Sequence, residues 1–223
     1  MDTTSDYFED LPIVLEKGLK KNGRTIQDLK KDIHIVKEWI QTQPHFPETP
    51  DDNTIVNFLF MNKFSIENVK NKFDMYYTIR TVLPEFFRNK HPLQSRMQNT
   101  MDTMFWISLP KVTDEGYRVT IFHLPQANSE SFDVINCLTY SYNVFEVRLH
   151  EDYTVGEIFI YDCNNVTMGH VIKVTPTIVK KASLVWEDTF NNNTKQIHLI
   201  NAPSYLEPIV SLAKKNDEAQ NGK

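Results

Sequence analysis

The sequence predicts an α/β protein with an all-helical N-terminal lobe. Apolar residues recur at helical spacing through the first ninety positions, and beyond them strand-like runs alternate with helical ones. The stretch from Gly156 to Pro203 reads as a complete strand, helix, strand unit.

In the first segment, Thr25 to Gln43, Ile26, Leu29, Ile33, Val36 and Ile40 share one helical face, and Pro44, Pro47 and Pro50 end it. Asp51 or Asp52 caps a second helix carrying Ile55, Val56, Phe58 and Leu59. Ser65 caps a third, with Val69, Phe73, Tyr76, Ile79 and Leu83 before Pro84. After Pro92, the spacing of Met97, Met101 and Phe105 predicts one more helix. The turn Asp114-Glu115-Gly116 then leads into a strand from Tyr117 to Leu124. A helix is expected from about Ser129, with Phe132, Ile135, Leu138, Tyr142, Phe145 and Leu149 on one face. The change of pattern near residue 90 suggests a helical domain over 1–90, an α/β domain over 91–215 and a polar tail over 216–223.

Within the unit from Gly156 to Pro203, Glu157 to Tyr161 and Gln196 to Ile200 read as parallel strands buried on both faces. Thr175 is an N-cap and Pro176 suits the first helical position, where its missing N–H costs nothing. Ile178, Ala182, Val185 and Trp186 form the stripe that a right-handed crossover returns to the sheet.

Composition limits the function classes. The chain has 223 residues, 40% hydrophobic and 24% charged, enough for one substantial core or two modest ones. With 24 basic and 29 acidic residues it carries a net charge of −5, so no broad positive field exists for nucleic acid or an anionic membrane. Only Cys137 and Cys163 are present, and the acidic start has no leader pattern. A cytoplasmic protein with reduced thiols is expected. No apolar run reaches the roughly 20 residues that span a bilayer, so membrane contact is expected to be peripheral.

Catalytic motifs are missing. A phosphate-binding turn needs clustered glycines, and the six in this chain are scattered. Gly-x-Ser-x-Gly is absent. His123, His150, His170 and His198 are too widely spaced for a metal set, and Cys163 beside Asp162 and near His170 reads better as a buried thiol and a loop histidine than as a nucleophile pair. No enzyme, metal or cofactor is expected.

Apolar and aromatic side chains instead crowd the sheet. Strand alternation puts Thr120, Phe122 and Leu124 on one face, with Phe159 and Tyr161, and Ile197 and Leu199. The other face, with Ile121, Ile158 and Ile160, is also apolar, so both sides are expected to be covered. Either helices cover both, or one side is a lined cavity for an apolar ligand.

Several segments then carry a resemblance: KEWIQTQPHFP (37–47), NKFSIENVKNKFDMYYTIRTVLPEFF (62–87), GYRVTIFHL, GEIFIYDCNNVTMGHVIKVTPTIVKKA and IHLINAPSYLEPIVSLAKK. Over about residues 25–215 the chain resembles the CRAL-TRIO family of lipid-transfer proteins, and its insect members most. The resemblance implies an N-terminal three-helix lobe and an α/β domain whose sheet floors a hydrophobic pocket closed by a gate helix. It implies binding and transfer of one small hydrophobic lipid such as a retinoid, tocopherol or carotenoid, transient membrane contact and no catalysis. The alternative is a non-carrier interaction module with a filled or incomplete pocket.

The matching pocket positions are Phe122, Leu124, Ile135, Leu138, Tyr142, Phe159, Tyr161, Val185, Trp186, Phe190, Ile197 and Leu199. Leu138, Tyr142 and Trp186 are bulkier than the family's usual residues, which implies a smaller or flatter cavity, and Tyr142 and Tyr161 could bond a ligand headgroup. Asn57 and Phe60 stand at positions that are commonly arginine in the family. Of the basic groups that bind phosphoinositides in one branch, Lys195, Lys214 and Lys215 remain, and a solvated basic edge is expected in place of that activity. Ser204 to Lys215 match the start of the gate helix. The resemblance stops there, so the domain is expected to be incomplete at its C-terminus, with apolar faces open unless a partner covers them.

Overall fold

The computed structural model describes residues 11–190, 193–207 and 210–211. Its N-terminal part is helical: α1 (Leu11–Lys21), α2 (Ile26–Gln41), α3 (Asp52–Met61), α4 (Ile66–Val82) and the single turn α5 (Pro84–Phe87). The expected caps of α3 and α4 are in place, and α2 is capped as well. Thr25 and Asp28 form a capping box at α2, Asp51 accepts from the Thr54 N–H at α3, and Ser65 accepts from Asn68 at α4. Helix α1 was not foreseen. It packs closely because Gly18 leaves room for the Phe60 ring, where a Cβ would lie 2.0 Å from Cε1. Val36, Ile55, Leu59, Val69, Phe73 and Ile79 are buried between these helices.

Helix α6 (Ser95–Thr103) ends before Phe105, contrary to the expected spacing, and β1 (Phe105–Ser108) begins there. Pairing decides this: β1 runs antiparallel to β2 (Tyr117–His123), with Trp106 opposite Phe122. Gly116 supplies the φ of +86° that turns the chain into β2. Helix α7 (Val134–Glu151) starts later than about Ser129, because the Asp133 carboxylate accepts from the Asn136 N–H and caps it there; Phe132 precedes the helix. Strand β3 (Gly156–Asp162), the short α8 (Met168–Val171) and α9 (Pro176–Leu184) follow. Thr175 caps α9 with Pro176 in its first turn, and the helix runs into a π-helical turn, Val185–Thr189. Strand β4 (Thr194–Ile200) closes the sheet, and Ser204–Leu206 forms a 3₁₀ turn where the gate helix was expected to begin.

Strand order is β1-β2-β3-β4, with β2, β3 and β4 parallel. Register puts Thr120, Phe159 and Ile197 in one row and Trp106, Phe122, Tyr161 and Leu199 in the next, as alternation predicts. Successive right-handed crossovers in one direction across a sheet place both helices on the same side. Accordingly Phe145 of α7 and Trp186 beyond α9 both meet Phe159, at 6.3 and 5.8 Å between ring centroids.

Two expectations are corrected by this topology. Only one face is covered among the described residues: on the other, Ile107 is 50% exposed, Phe105 and Ile200 are also exposed, and Val119, Ile121, Ile158 and Ile160 are half-buried. Strand β4 is not buried on two faces, because as the edge strand it is exposed along its whole length.

At the foot of the covered face lies a buried charge cluster. Arg118 of β2 donates through Nε and Nη2 to Asp152 at 2.9 and 2.6 Å, and Arg148 of α7 reaches both Asp152 and Glu157 of β3. Asn57 of α3, at a position commonly arginine in the family, donates to the carbonyls of Leu149 and Asp152 and ties the helical lobe to this cluster. A void of about 20 Å³ beside Asn57, Arg148 and Glu157 has room for roughly one water.

Candidate functional site

Above the charge cluster the covered sheet face is aromatic. Trp106 stands at its centre, with the rings of Phe122, Phe145, Phe159, Tyr161 and Trp186 at centroid distances from 5.8 to 6.4 Å. Tyr142 of α7 forms the back wall, against Phe86, Phe87, Trp186 and Phe190 at 5.5 to 5.9 Å. Each favourable ring pair adds about 0.5–1.5 kcal/mol beyond its buried area, so this face is cohesive without a ligand.

The twelve sequence-predicted lining residues grade from dry to open. Leu124, Tyr142, Phe159, Val185 and Phe190 are buried; Phe122, Ile135, Leu138, Tyr161 and Trp186 are half-buried; Ile197 is 56% exposed and Leu199 is also exposed. This aromatic face, packed with rings around Tyr142 and Phe159 and increasingly exposed toward β4, is the candidate trough. Sequence reasoning missed Trp106 and Phe145. Trp106 lay in a segment read as helix, and Phe145 was read only as part of a helical face.

Three buried polar atoms in this region have no partner among the described residues: Trp106 Nε1, Tyr142 Oη and Thr189 Oγ1. An unmet buried hydroxyl or N–H costs about 1–3 kcal/mol, so the set is a local cost in this face. Burial pushes the Tyr161 phenol up to about 12, with a smaller contribution from Cys163, and burial also raises Tyr142, with Tyr161 contributing. Both tyrosines are therefore neutral donors at physiological pH.

The other candidates are engaged locally. Cys163 Sγ donates to the Tyr161 carbonyl, and His170 Nδ1 accepts from the Thr167 backbone N–H. His123 pairs with Asp162 at 3.1 Å, His150 pairs with Asp51, and His198 contacts Gln196. Among the described residues no three His, Cys, Asp or Glu side chains gather as a metal set, and no helix is long and apolar enough to cross a membrane. Lys195 is exposed, its ammonium 5.9 Å from the Tyr117 ring centroid. Lys214 and Lys215 lie outside the described residues.

Comparison with known proteins bears on this arrangement. Residues 102–216, just over half of the chain, match the model described as the CRAL/TRIO domain. The chain belongs to the CRAL/TRIO family. Residues 25–97 match the model described as a Pinta-like UBA domain. This CRAL/TRIO chain is 21% identical over 187 residues to the alpha-tocopherol transfer protein-like protein of Mus musculus, a match covering 82% of the chain and 54% of the relative. It is 24% identical over 208 residues to Clavesin-1 of Xenopus laevis, covering 91% of the chain and 62% of the relative. Clavesin-2 of Rattus norvegicus is 21% identical over 207 residues, covering 91% of the chain and 63% of the relative. The chain thus spans little more than half the length of these relatives.

Proposed function

We propose that this protein binds one small hydrophobic lipid, of the retinoid, tocopherol or carotenoid kind, in the aromatic trough and transfers it at membranes through transient peripheral contact. No bond is made or broken in this function, and it operates in the cytoplasm, where the two free, buried thiols stay reduced. Support comes from the family, from a relative named for tocopherol transfer, and above all from one observation. Among the described residues, Trp106 Nε1 and Tyr142 Oη are buried donors without acceptors in a region dominated by aromatic rings. An apolar ligand with one polar end would satisfy both requirements: rings for its body, donors for its oxygen.

Trp106 and Trp186 are the natural probes. Titration with retinol and with α-tocopherol should change tryptophan fluorescence saturably, and native mass spectrometry should find one lipid per chain. A protein that carries no lipid after exposure to a panel of both classes, with unchanged fluorescence, would refute the carrier reading.

The second reading, a non-carrier interaction module, is favoured by the ring-filled inner end and by the exposure of β4. It predicts saturable association with a protein partner and no lipid at any point in the panel.

A further inference from the structure

A cleft lies between α5 and α6. It has a volume of about 280 Å³, opens to solvent and is lined by Pro84, Glu85, Arg88, Asn89 and Arg96. We propose that this cleft binds a phosphate monoester dianion, held by the guanidinium groups of Arg96 and Arg88.

Arg96 is the better-defined half of the site. Its Nη2 donates to Thr139 Oγ1 at 3.1 Å, and that hydroxyl donates in turn to the Ile135 carbonyl at 2.8 Å, so the guanidinium is fixed against α7. Its Nε is buried and has no acceptor among the described residues. With Nη2 held by Thr139, the half-buried guanidinium is oriented as one wall of the cleft and offers its planar charge to an anion there. Arg88 stands exposed at the end of α5, where its backbone N–H closes the turn onto the Pro84 carbonyl and leaves the side chain to the cleft rim.

Charge favours the same ligand. Glu85 is the one carboxylate lining the cleft, and Lys181 occupies it at 2.6 Å. Neither Arg88 nor Arg96 has a carboxylate partner among the described residues, whereas nearby Arg80 and Lys90 both pair with Glu146. Two uncompensated guanidinium groups in a chain of net charge −5 match the charge of a phosphate monoester, and their planar forks match its oxygens. The cleft does not depend on what occupies the trough.

The test uses the full chain with two probes: inorganic phosphate, by calorimetry, and phosphatidylcholine vesicles with or without phosphatidic acid, by sedimentation. Saturable millimolar or tighter binding of at least one probe is expected, weakened about tenfold or more in Arg96→Gln and in Arg88→Gln, as the loss of a charge-assisted bond requires. Binding to phosphate alone identifies a soluble ligand. Binding confined to phosphatidic acid vesicles identifies a headgroup. Should Arg96→Gln fail to fold because Thr139 loses its partner, the exposed Arg88→Gln, checked by circular dichroism, decides. Absence of binding to both probes, or binding undiminished in a folded Arg88→Gln protein, overturns the proposal.

Discussion

Replacing Arg118 with Met should destabilise the fold severely. The side chain is 1% exposed, and its guanidinium donates twice to the Asp152 carboxylate, at 2.9 and 2.6 Å, and once each to the carbonyls of Leu109 and Pro110, at 2.8 and 2.7 Å. Methionine fills much of the stem volume, so the loss is electrostatic more than steric. Asp152 would stay buried with Arg148 Nε at 3.1 Å as its remaining side-chain donor, and two carbonyls would lose theirs. Breaking one partner of a buried pair costs about 3–5 kcal/mol. At about 2–4 °C per kcal/mol for a chain of this size, the midpoint should fall by roughly 6–20 °C. Thermal unfolding followed by circular dichroism, backed by urea titration, measures it. Asp152→Asn should lose a comparable amount, and the double variant should lose less than the sum of the two, with a coupling of about 0.5–3 kcal/mol. A loss under about 1 kcal/mol in Arg118→Met, or strict additivity, would show that the cluster does not hold β2, β3 and α7 together.

Three further outcomes follow from the same geometry. Tyr142→Phe removes a hydroxyl that is buried without a partner, so the ligand-free protein should gain about 1 kcal/mol in urea unfolding, while a ligand that uses that donor binds more weakly; a clear loss of stability would contradict this. The hydrogen bond from Lys181, outweighing burial, holds the Glu85 carboxyl below its usual 4.5. Its contribution is therefore complete above pH 4.5 and disappears as pH falls through the lower folded value, so the stability difference between wild type and Glu85→Gln should be constant near neutrality and shrink on acidification; a difference growing toward acid would reverse the assignment. Burial, then Asp133, pushes the Cys137 thiol up to about 12, and burial, then Asp162, raises Cys163, so maleimide should label both slowly in native protein at neutral pH and rapidly in urea. Equal rates in the two conditions would show the thiols to be accessible.

What the sequence revealed of this fold was mostly local. Asp51, Ser65 and Thr175 cap their helices as read, because a cap needs only its own next three residues. Strand β1 could not be read that way. Met97, Met101 and Phe105 continue at intervals of four, and only the distant pairing of Trp106 with Phe122 makes the segment extended. Alternation placed Phe159 and Ile197 on one face correctly, yet it cannot tell an edge strand from a central one, which is why the exposure of β4 went unseen. The charge cluster was hidden for the same reason: Arg118 and Glu157 come together through the register of β2 with β3. A charged residue opening each of two apolar strand runs was the available signal.

The trough poses a physical question that its composition alone does not answer: which ring yields to a ligand. Tyr142 and Phe145 are fixed on α7, while Trp106 and Phe159 are fixed on strands, and all four are buried. Trp186 differs in three respects. It is half-buried although five rings contact it, it stacks on Trp106 at 5.9 Å, and it sits on the π-helical turn, whose hydrogen bonds span an extra residue. Thr189, with its own unpartnered hydroxyl, lies on the same turn. Lys72 of α4 donates to the Glu187 carbonyl of this turn at 2.8 Å, so the turn is tied to the helical lobe as well as to the sheet. On the proposed carrier reading, a ligand that enters from the β4 side meets Leu199 and Tyr161 first and Trp186 next. The least costly way to admit it is to move that one ring and its turn, leaving the buried wall of Tyr142, Phe145 and Phe159 intact. On that reading the bulk of Trp186 is the plug, and the π-helical turn beneath it is the element that moves.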